Sequence, residues 1–381
     1  MKILHLTSDW KWTGPAEPML LAGAGLRQRG HQVDVVCPGA PDGQSGVLRE
    51  ALARGVEPIL ELSRARGIHP LRDRREAASL RRLLRSGSFE VIHAWHSRGH
   101  GLALQARVPG TAIVRAHSDG RTPRWGERSL WGRGCDALVC TSEVCAASHD
   151  GAAPSFAVPG AVDLARFRPA KTEEEVHAAR RGLGASGAGP LLGVVARVQP
   201  HRRFDLLFDA FERVVSESPQ ARLCLLGRGT RLETVARQPV AARGLDGHVV
   251  FAGYRSGDSY AQALRALDLL VFLTPGSDGG CRTLLEAAAT GVPAVVLGRG
   301  APGEIVEDDV TGRVVDEDPV ALARAISGLL ASPSQRAKLS QGARRRAQER
   351  FAVDRLAADL ERVYRVASGG HGSSAPASTA R

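Results

Sequence analysis

The segment from Thr274 to Pro293, TPGSDGGCRTLLEAAATGVP, holds the residue types and spacing best suited to chemistry. Asp278 and Glu286 stand with seven residues between them, and the glycines Gly279 and Gly280 follow the first acid directly. The apolar run Leu269 to Leu273 ahead of them reads as a buried strand, so the segment predicts strand, glycine turn, helix. Such a turn leaves backbone N–H groups free at the start of the helix, where the helix dipole favours an anion. Glu286 then lies about one and a half turns into the helix, in reach of a ligand held at its start. An ordinary strand–loop–helix unit with no ligand fits this segment equally well when it is taken alone.

A second group bears on the choice. Arg197 and Arg202 are five residues apart in GVVARVQPHRRF, a loop after another apolar run, and two guanidiniums there can clamp a diphosphate. Glycine turns follow at 225–230 (LLGRGT) and 251–258 (FAGYRSGD). In a parallel sheet all four loops open on one side, at the carboxyl ends of the strands.

The elements that must position these loops alternate in type. Strands are expected at Lys2–Thr7, Gln32–Val36, Val91–Ala94, Thr111–Arg115 and Ala137–Thr141, with an amphipathic helix at Pro15–Arg29. The second half repeats the scheme with Leu191–Ala196, Arg222–Leu226, Val249–Phe251, Leu269–Leu273 and Ala294–Leu297. Strands alternating with helices predict an α/β fold of two doubly wound, Rossmann-like domains facing a central cleft. The expected boundaries are 1–170, a charged then small-residue linker at 171–190, 191–350, a helix at 351–367 and a disordered tail at 368–381.

Composition sets further bounds. The chain has 381 residues, 43% of them hydrophobic, enough for two ordinary globular domains. No apolar run is long enough to span a bilayer and the first residues lack a signal-peptide core, so a cytoplasmic location is expected. The net charge of +11 rests almost entirely on arginine and favours anionic partners. With 4% aromatics and no base-reading motif, nucleic acid is the weakest of these partners. The six cysteines, at 37, 135, 140, 145, 224 and 281, lack CxxC pairing and read as small buried hydrophobes, Cys281 excepted.

Taken in order, Arg197, Arg202, Gly227/Gly229, Asp278 and Glu286 resemble the second domain of retaining GT-B glycosyltransferases of family 4. The stretches EAAATGVPAVV (286–296) and GEIVEDDVTGRVV (303–315) are similar as well. Looser likeness lies in GLRQRGHQVDVVCP (25–38), VIHAWHS (91–97), VRAHSDG (114–120) and VPGAVDLARFRP (158–169), so that it covers roughly 1–367. The resemblance implies a UDP- or GDP-sugar donor, a glycan or lipid-linked acceptor, and a final helix crossing back to the first domain. Glu286 would bind the ribose and Asp278 the transferred sugar. Arg197 and Arg202 would neutralise the leaving diphosphate, with backbone N–H groups of Gly280, Cys281, Arg282 and Thr283. Gly14, Gly229, Tyr254 and Gly279 would complete the donor site, and His117 would touch the sugar from the first domain. No cofactor and no metal would be needed; Asp308-Asp309 reads as a surface turn rather than a metal-binding pair.

The chain departs from the family pattern at several of these positions. The usual EGFG is DGGC, the phosphate lysine is Arg202, the first loop carries Gly14-Pro15, and Gly160-Ala161 replaces an Asn-Gly. His93, His96 and His100 have a spacing that metal ligands use on a helix, without a carboxylate partner nearby. Trp10 and Trp12 beside Gly14 suit either stacking on a sugar or packing against a loop. Eight arginines between Arg64 and Arg85 give a basic face, solvated or resting on an anionic membrane. A nucleotide-sugar epimerase and a catalytically weak sugar-nucleotide-binding scaffold remain as alternatives.

Overall fold

Two all-parallel sheets organise the computed structural model, which describes residues 1–12, 15–39, 45–63, 69–117, 134–149, 153–187, 189–274 and 280–369. The first is built from β1 (Lys2–Leu6), β2 (Gln32–Pro38), β3 (Leu60–Leu62), β4 (Val91–Ala94), β5 (Ala112–His117), β6 (Ala137–Cys140) and β7 (Ser155–Ala157). Its strand order is β3-β2-β1-β4-β5-β6-β7. The second contains β8 (Leu191–Val195), β9 (Arg222–Leu226), β10 (Val249–Gly253), β11 (Leu269–Phe272), β12 (Ala294–Leu297) and β13 (Gly312–Val315). These run in the order β10-β9-β8-β11-β12-β13. The strand order reverses at β1/β4 and again at β8/β11, and ligands of such sheets bind beside these switch points.

Helices cover both faces, so the central strands are apolar on both sides. β4, β6, β11 and β12 are buried at every residue. That continuous burial is why their sequences read as short unbroken apolar runs. β4, β9 and β12 have the bounds expected from sequence. The strands not foreseen, β3, β7 and β13, are the outermost in their sheets, where one flank lacks a neighbour and the residues are mixed.

The segment expected as a linker holds a helix, Glu173–Gly182. The Thr172 hydroxyl accepts the Glu175 N–H, three glutamates occupy the first turn and Arg180 and Arg181 the last, all in accord with the dipole. Arg180 reaches Asp268 at 2.6 Å, and Leu183 and Ala185 enter a core cluster of the second sheet. The Thr-x-x-Glu capping pair was the available signal.

The last helix, Val353–Ala367, returns to the first domain. Leu356, Ala357, Leu360, Val363 and Tyr364 pack into the core that Ile3, Val33 and Val114 form. It lies tightly on helix Ala16–Gln28: a Cβ at Gly25 would come within 2.9 Å of the Val353 carbonyl oxygen. Glu361 accepts from Arg29 Nε at 3.0 Å and pairs with His31 Nε2 at 2.7 Å. Among the described residues, no helix is long and apolar enough to cross a membrane.

Candidate active site

On the second domain, three loops are laced side by side at the carboxyl ends of β8, β9 and β10. The Ala196 N–H donates to the Leu226 carbonyl, Val198 to Arg228, and Gly227 to Gly253, at 3.0–3.1 Å. This closeness demands glycine. A Cβ on Gly227 would lie 1.9 Å from the Ala196 oxygen, and one on Gly229 would lie 2.2 Å from that of Val198. The glycine turn therefore positions the loop of Arg197 and Arg202. Arg197 is exposed beyond β8, and Arg202 is half-buried on a single 3-10 turn, Pro200–Arg202. Tyr254 stands at the same edge, 53% exposed, with the Arg228 guanidinium 4.5 Å from its ring centre.

Helix Arg282–Thr290 follows β11 across the switch point. Cys281 caps it with φ of 46°, a left-handed conformation that favours glycine, and is buried. Glu286, 3% exposed, is held from both sides. The Tyr260 hydroxyl donates to its Oε2 at 2.8 Å, and Arg282 Nε pairs with its Oε1 at 3.1 Å. Burial, followed by the Glu286 charge, pushes the Tyr260 hydroxyl well above its ordinary range, so it stays a donor. Arg282 Nη1 also reaches Glu17 Oε2, at 3.0 Å, and Glu17 takes Arg54 at 3.2 Å. A charged row thus crosses from Tyr260 in the second domain to Arg54 in the first. Thr283 Oγ1 is 3.5 Å from the Tyr260 hydroxyl. Asp278, Gly279 and Gly14 lie outside the described residues.

His117 ends β5 and is buried. It lines a small cavity of about 50 Å³ between the domains, shared with Trp95 and Gly160 from the first and Gly280, Arg282 and Leu285 from the second. Of the sites expected from sequence, the structure gathers His117, Gly280, Arg282 and, one layer behind, Glu286. Sequence reading did not foresee Tyr260, Glu17 or the Arg282 side chain as parts of it. The i,i+4 spacing of Arg282 and Glu286 was a usable sign for one of these; nothing local marked Tyr260.

The histidines of the first domain separate into different roles. His93 Nδ1 meets the Tyr364 hydroxyl at 2.7 Å, His96 Nδ1 meets Thr7 Oγ1 at 2.9 Å, and His100 Nδ1 takes Arg115 Nη1 at 2.9 Å. The three spacings in sequence therefore do not converge on one point. Trp12 packs against the neighbouring loop, with Arg54 5.1 Å from its ring centre and its backbone N 2.9 Å from where a Gly46 Cβ would be. Asp308 and Asp309 pair with Arg313 in a turn.

A different group does converge. His117, Cys145 and His149 bring one potential ligand atom each within 4.8 Å of one another. The His117 and His149 rings meet edge to face at 4.8 Å. Hydrogen bonding with the Cys140 thiol draws Cys145 down and pushes Cys140 up. Cys145 and His149 stand four residues apart, a C-x3-H spacing distinct from the CxxC of paired cysteines.

Two facing Rossmann-like domains with a switch-point helix start and a shared cleft define the GT-B class. The sequence model of Glycosyltransferase Family 4 matches residues 20–166, and that of Glycosyl transferases group 1 matches 176–346. The chain belongs to this family of glycosyltransferases. It is 35% identical to a D-inositol 3-phosphate glycosyltransferase of Salinispora tropica, over 54% of this chain and 44% of that one. It thus spans about half the length of that curated relative. A lipopolysaccharide core biosynthesis mannosyltransferase of Rhizobium meliloti, LpsB, is 28% identical over 71% of this chain and 78% of its own. The Anabaena protein HepE, solved in complex with UDP, shares the fold with a TM-score of 0.76 at 19% identity, covering 95% of this chain and 99% of that one.

Proposed function

We propose that this chain is a retaining glycosyltransferase that moves a sugar from a UDP- or GDP-linked donor to a glycan or lipid-linked acceptor, in envelope polysaccharide or glycolipid synthesis. The observation that carries this reading is the shared cavity, where His117 of one domain faces Gly280 and Arg282 of the other. Glu286, behind Arg282, accepts the ribose hydroxyls when Arg282 gives way. Asp278 meets hydroxyls of the transferred sugar, and His117 contacts that sugar from the opposite wall. Arg197 and Arg202, with the N–H groups of Gly280 to Thr283, stabilise the charge that grows on the leaving diphosphate. Side chains and helix start supply this positive charge, so the chemical step needs no metal and no cofactor.

Retention follows from front-face attack, in which the leaving phosphate takes the acceptor's proton as the new glycosidic bond forms on the same face. Closure of the cleft excludes water, so that the acceptor rather than water is glycosylated. The UDP held by HepE supports a nucleoside diphosphate donor, and the names of the Salinispora and Rhizobium relatives support a hydroxylated acceptor. The protein works in the cytoplasm, with peripheral contact to an anionic membrane through helix Pro70–Gly87. On this helix Arg74, Arg75, Arg81, Arg82 and Arg85 are exposed beside Leu71. Co-sedimentation with anionic vesicles at low salt tests that contact, and no binding removes it.

Incubation with a panel of UDP- and GDP-sugars, following nucleoside diphosphate release, tests the activity. Release that requires an acceptor is the expected result. Binding without release makes the chain a scaffold, and interconversion of donors makes it an epimerase.

A further inference from the structure

Beside His117, Cys145 and His149 carry chemistry that sugar transfer does not use, and the three residues bring their ligand atoms together. Cys145 lies on the short helix Glu143–Ala147, and His149 one turn beyond it. Cys145 is 7% exposed and His117 is 3% exposed, while the His149 Nε2 atom is closed to solvent with no hydrogen-bond partner among the described residues. A ring nitrogen closed to solvent, like this His149 Nε2, is costly unless something satisfies it. Within the group, the Cys145 thiol reaches the His117 carbonyl at 3.9 Å, and the two rings meet edge to face.

We propose that His117, Cys145 and His149 form a binding site for a borderline-soft divalent cation of the zinc type. The donor set decides the class. Two imidazole nitrogens and a thiolate, the donors among the described residues, suit Zn²⁺ or Co²⁺ and disfavour Mg²⁺ and Ca²⁺. A tetrahedral site has metal–nitrogen bonds of about 2.0 Å and a metal–sulfur bond of about 2.3 Å, so the ligand atoms draw inward by about 1 Å on binding. Among the described residues the site has three protein ligands, the number found in sites that keep an exchangeable ligand in a fourth position. Cys145 binds as thiolate, and its proton leaves to solvent.

Binding has a consequence for the cleft. The Glu304 carboxylate of the second domain accepts the N–H groups of Glu143 and Val144 at 2.7 and 2.9 Å, so the metal-bearing turn is also a contact with that domain. A metal on His117 also withdraws its imidazole from the cavity, and the cation then inhibits transfer. This inhibition rests on the assignment of His117 to the donor sugar, whereas the metal site does not.

The test uses the reduced, chelator-stripped full chain titrated with Co²⁺. One equivalent should bind with the absorption of a tetrahedral cobalt centre and a thiolate-to-cobalt charge-transfer band. Cys145→Ser should lose that band, His149→Gln should weaken binding at least about tenfold, and Cys224→Ser in the second domain should change neither. Zn²⁺ should raise the unfolding temperature of the wild-type chain, a reading that needs no variant to fold. No cobalt uptake by the wild type, or a charge-transfer band that survives Cys145→Ser, would overturn the site. Stoichiometric binding with undiminished nucleoside diphosphate release contradicts the role of His117 in transfer and leaves the metal site standing.

Discussion

Arg282 of the second domain and Glu17 of the first meet across the cleft, Nη1 to Oε2 at 3.0 Å. The same guanidinium holds Glu286 at 3.1 Å, so the proposed ribose carboxylate and the domain contact share one side chain. Arg282 is about a third exposed and Glu17 largely buried, with side-chain exposures of 33% and 11%. A double-mutant cycle of Glu17→Ala and Arg282→Ala, read by denaturant unfolding, should give a coupling of about 1 kcal/mol, the upper end for partly solvated pairs. Strictly additive effects would show that the contact is not formed in solution.

The close approach of the β8 and β9 loops predicts that Gly227→Ala is harmful in two ways. Its Cβ would lie 1.9 Å from the Ala196 oxygen, a backbone atom that cannot swing aside. The variant should lose about 1–3 kcal/mol of stability by overpacking. Displacement of the loop bearing Arg197 and Arg202 should also weaken UDP or GDP binding. Gly247→Ala, with nothing within 4 Å of its Cβ, is the control and should change neither, as measured by thermal unfolding and titration calorimetry.

Tyr364 joins the last helix to the first sheet through two histidines. Its hydroxyl is 2.7 Å from His93 Nδ1 and 3.3 Å from His5 Nε2, all three groups fully buried. Burial holds His5 down at about 3 and His93 well below its ordinary value, so both are neutral at physiological pH. Tyr364→Phe removes both contacts and strands two buried nitrogens, which should cost about 1–3 kcal/mol in unfolding free energy. Unchanged stability would remove this network from the account of how the helix is anchored.

The outer edge of the same helix should respond to acid. Hydrogen bonding from Arg29, aided by His31 and opposed by burial, holds the Glu361 carboxyl at about 2, below its ordinary 4.5. A carboxyl depressed on folding adds stability that is fully present above pH 4.5 and is lost as the pH falls toward 2. The gap in unfolding temperature between wild type and Glu361→Gln should therefore be widest near neutrality and close through that window. A gap that does not depend on pH would show that Glu361 acts by packing alone.

What the sequence disclosed, and what it hid, follow one physical division. Central strands are buried on both faces, so β4, β9 and β12 appeared with their bounds, whereas the edge strands β3, β7 and β13 carry no such run. Glu286 was legible because its helix start and strand are local features. Its partner Tyr260, and Glu17, which pairs with Arg282, were not, since other helices bring them in over 26 and 265 positions of chain. Gly227 and Gly229 were legible as a turn, but their cause, the carbonyls of Ala196 and Val198, belongs to the neighbouring strand. The convergence of His117 with Cys145 and His149 likewise depends on the pairing of β5 with β6.

The central claim is that Glu286 holds the nucleotide of the donor. Titration calorimetry of UDP and GDP against the wild-type chain and Glu286→Ala tests it most directly. Two charge-assisted hydrogen bonds to the ribose are each worth about 1.5–3 kcal/mol. The account predicts that one of the two nucleotides binds the wild type and that the substitution weakens this binding by about a hundredfold or more. Equal affinity in a folded Glu286→Ala variant would contradict it.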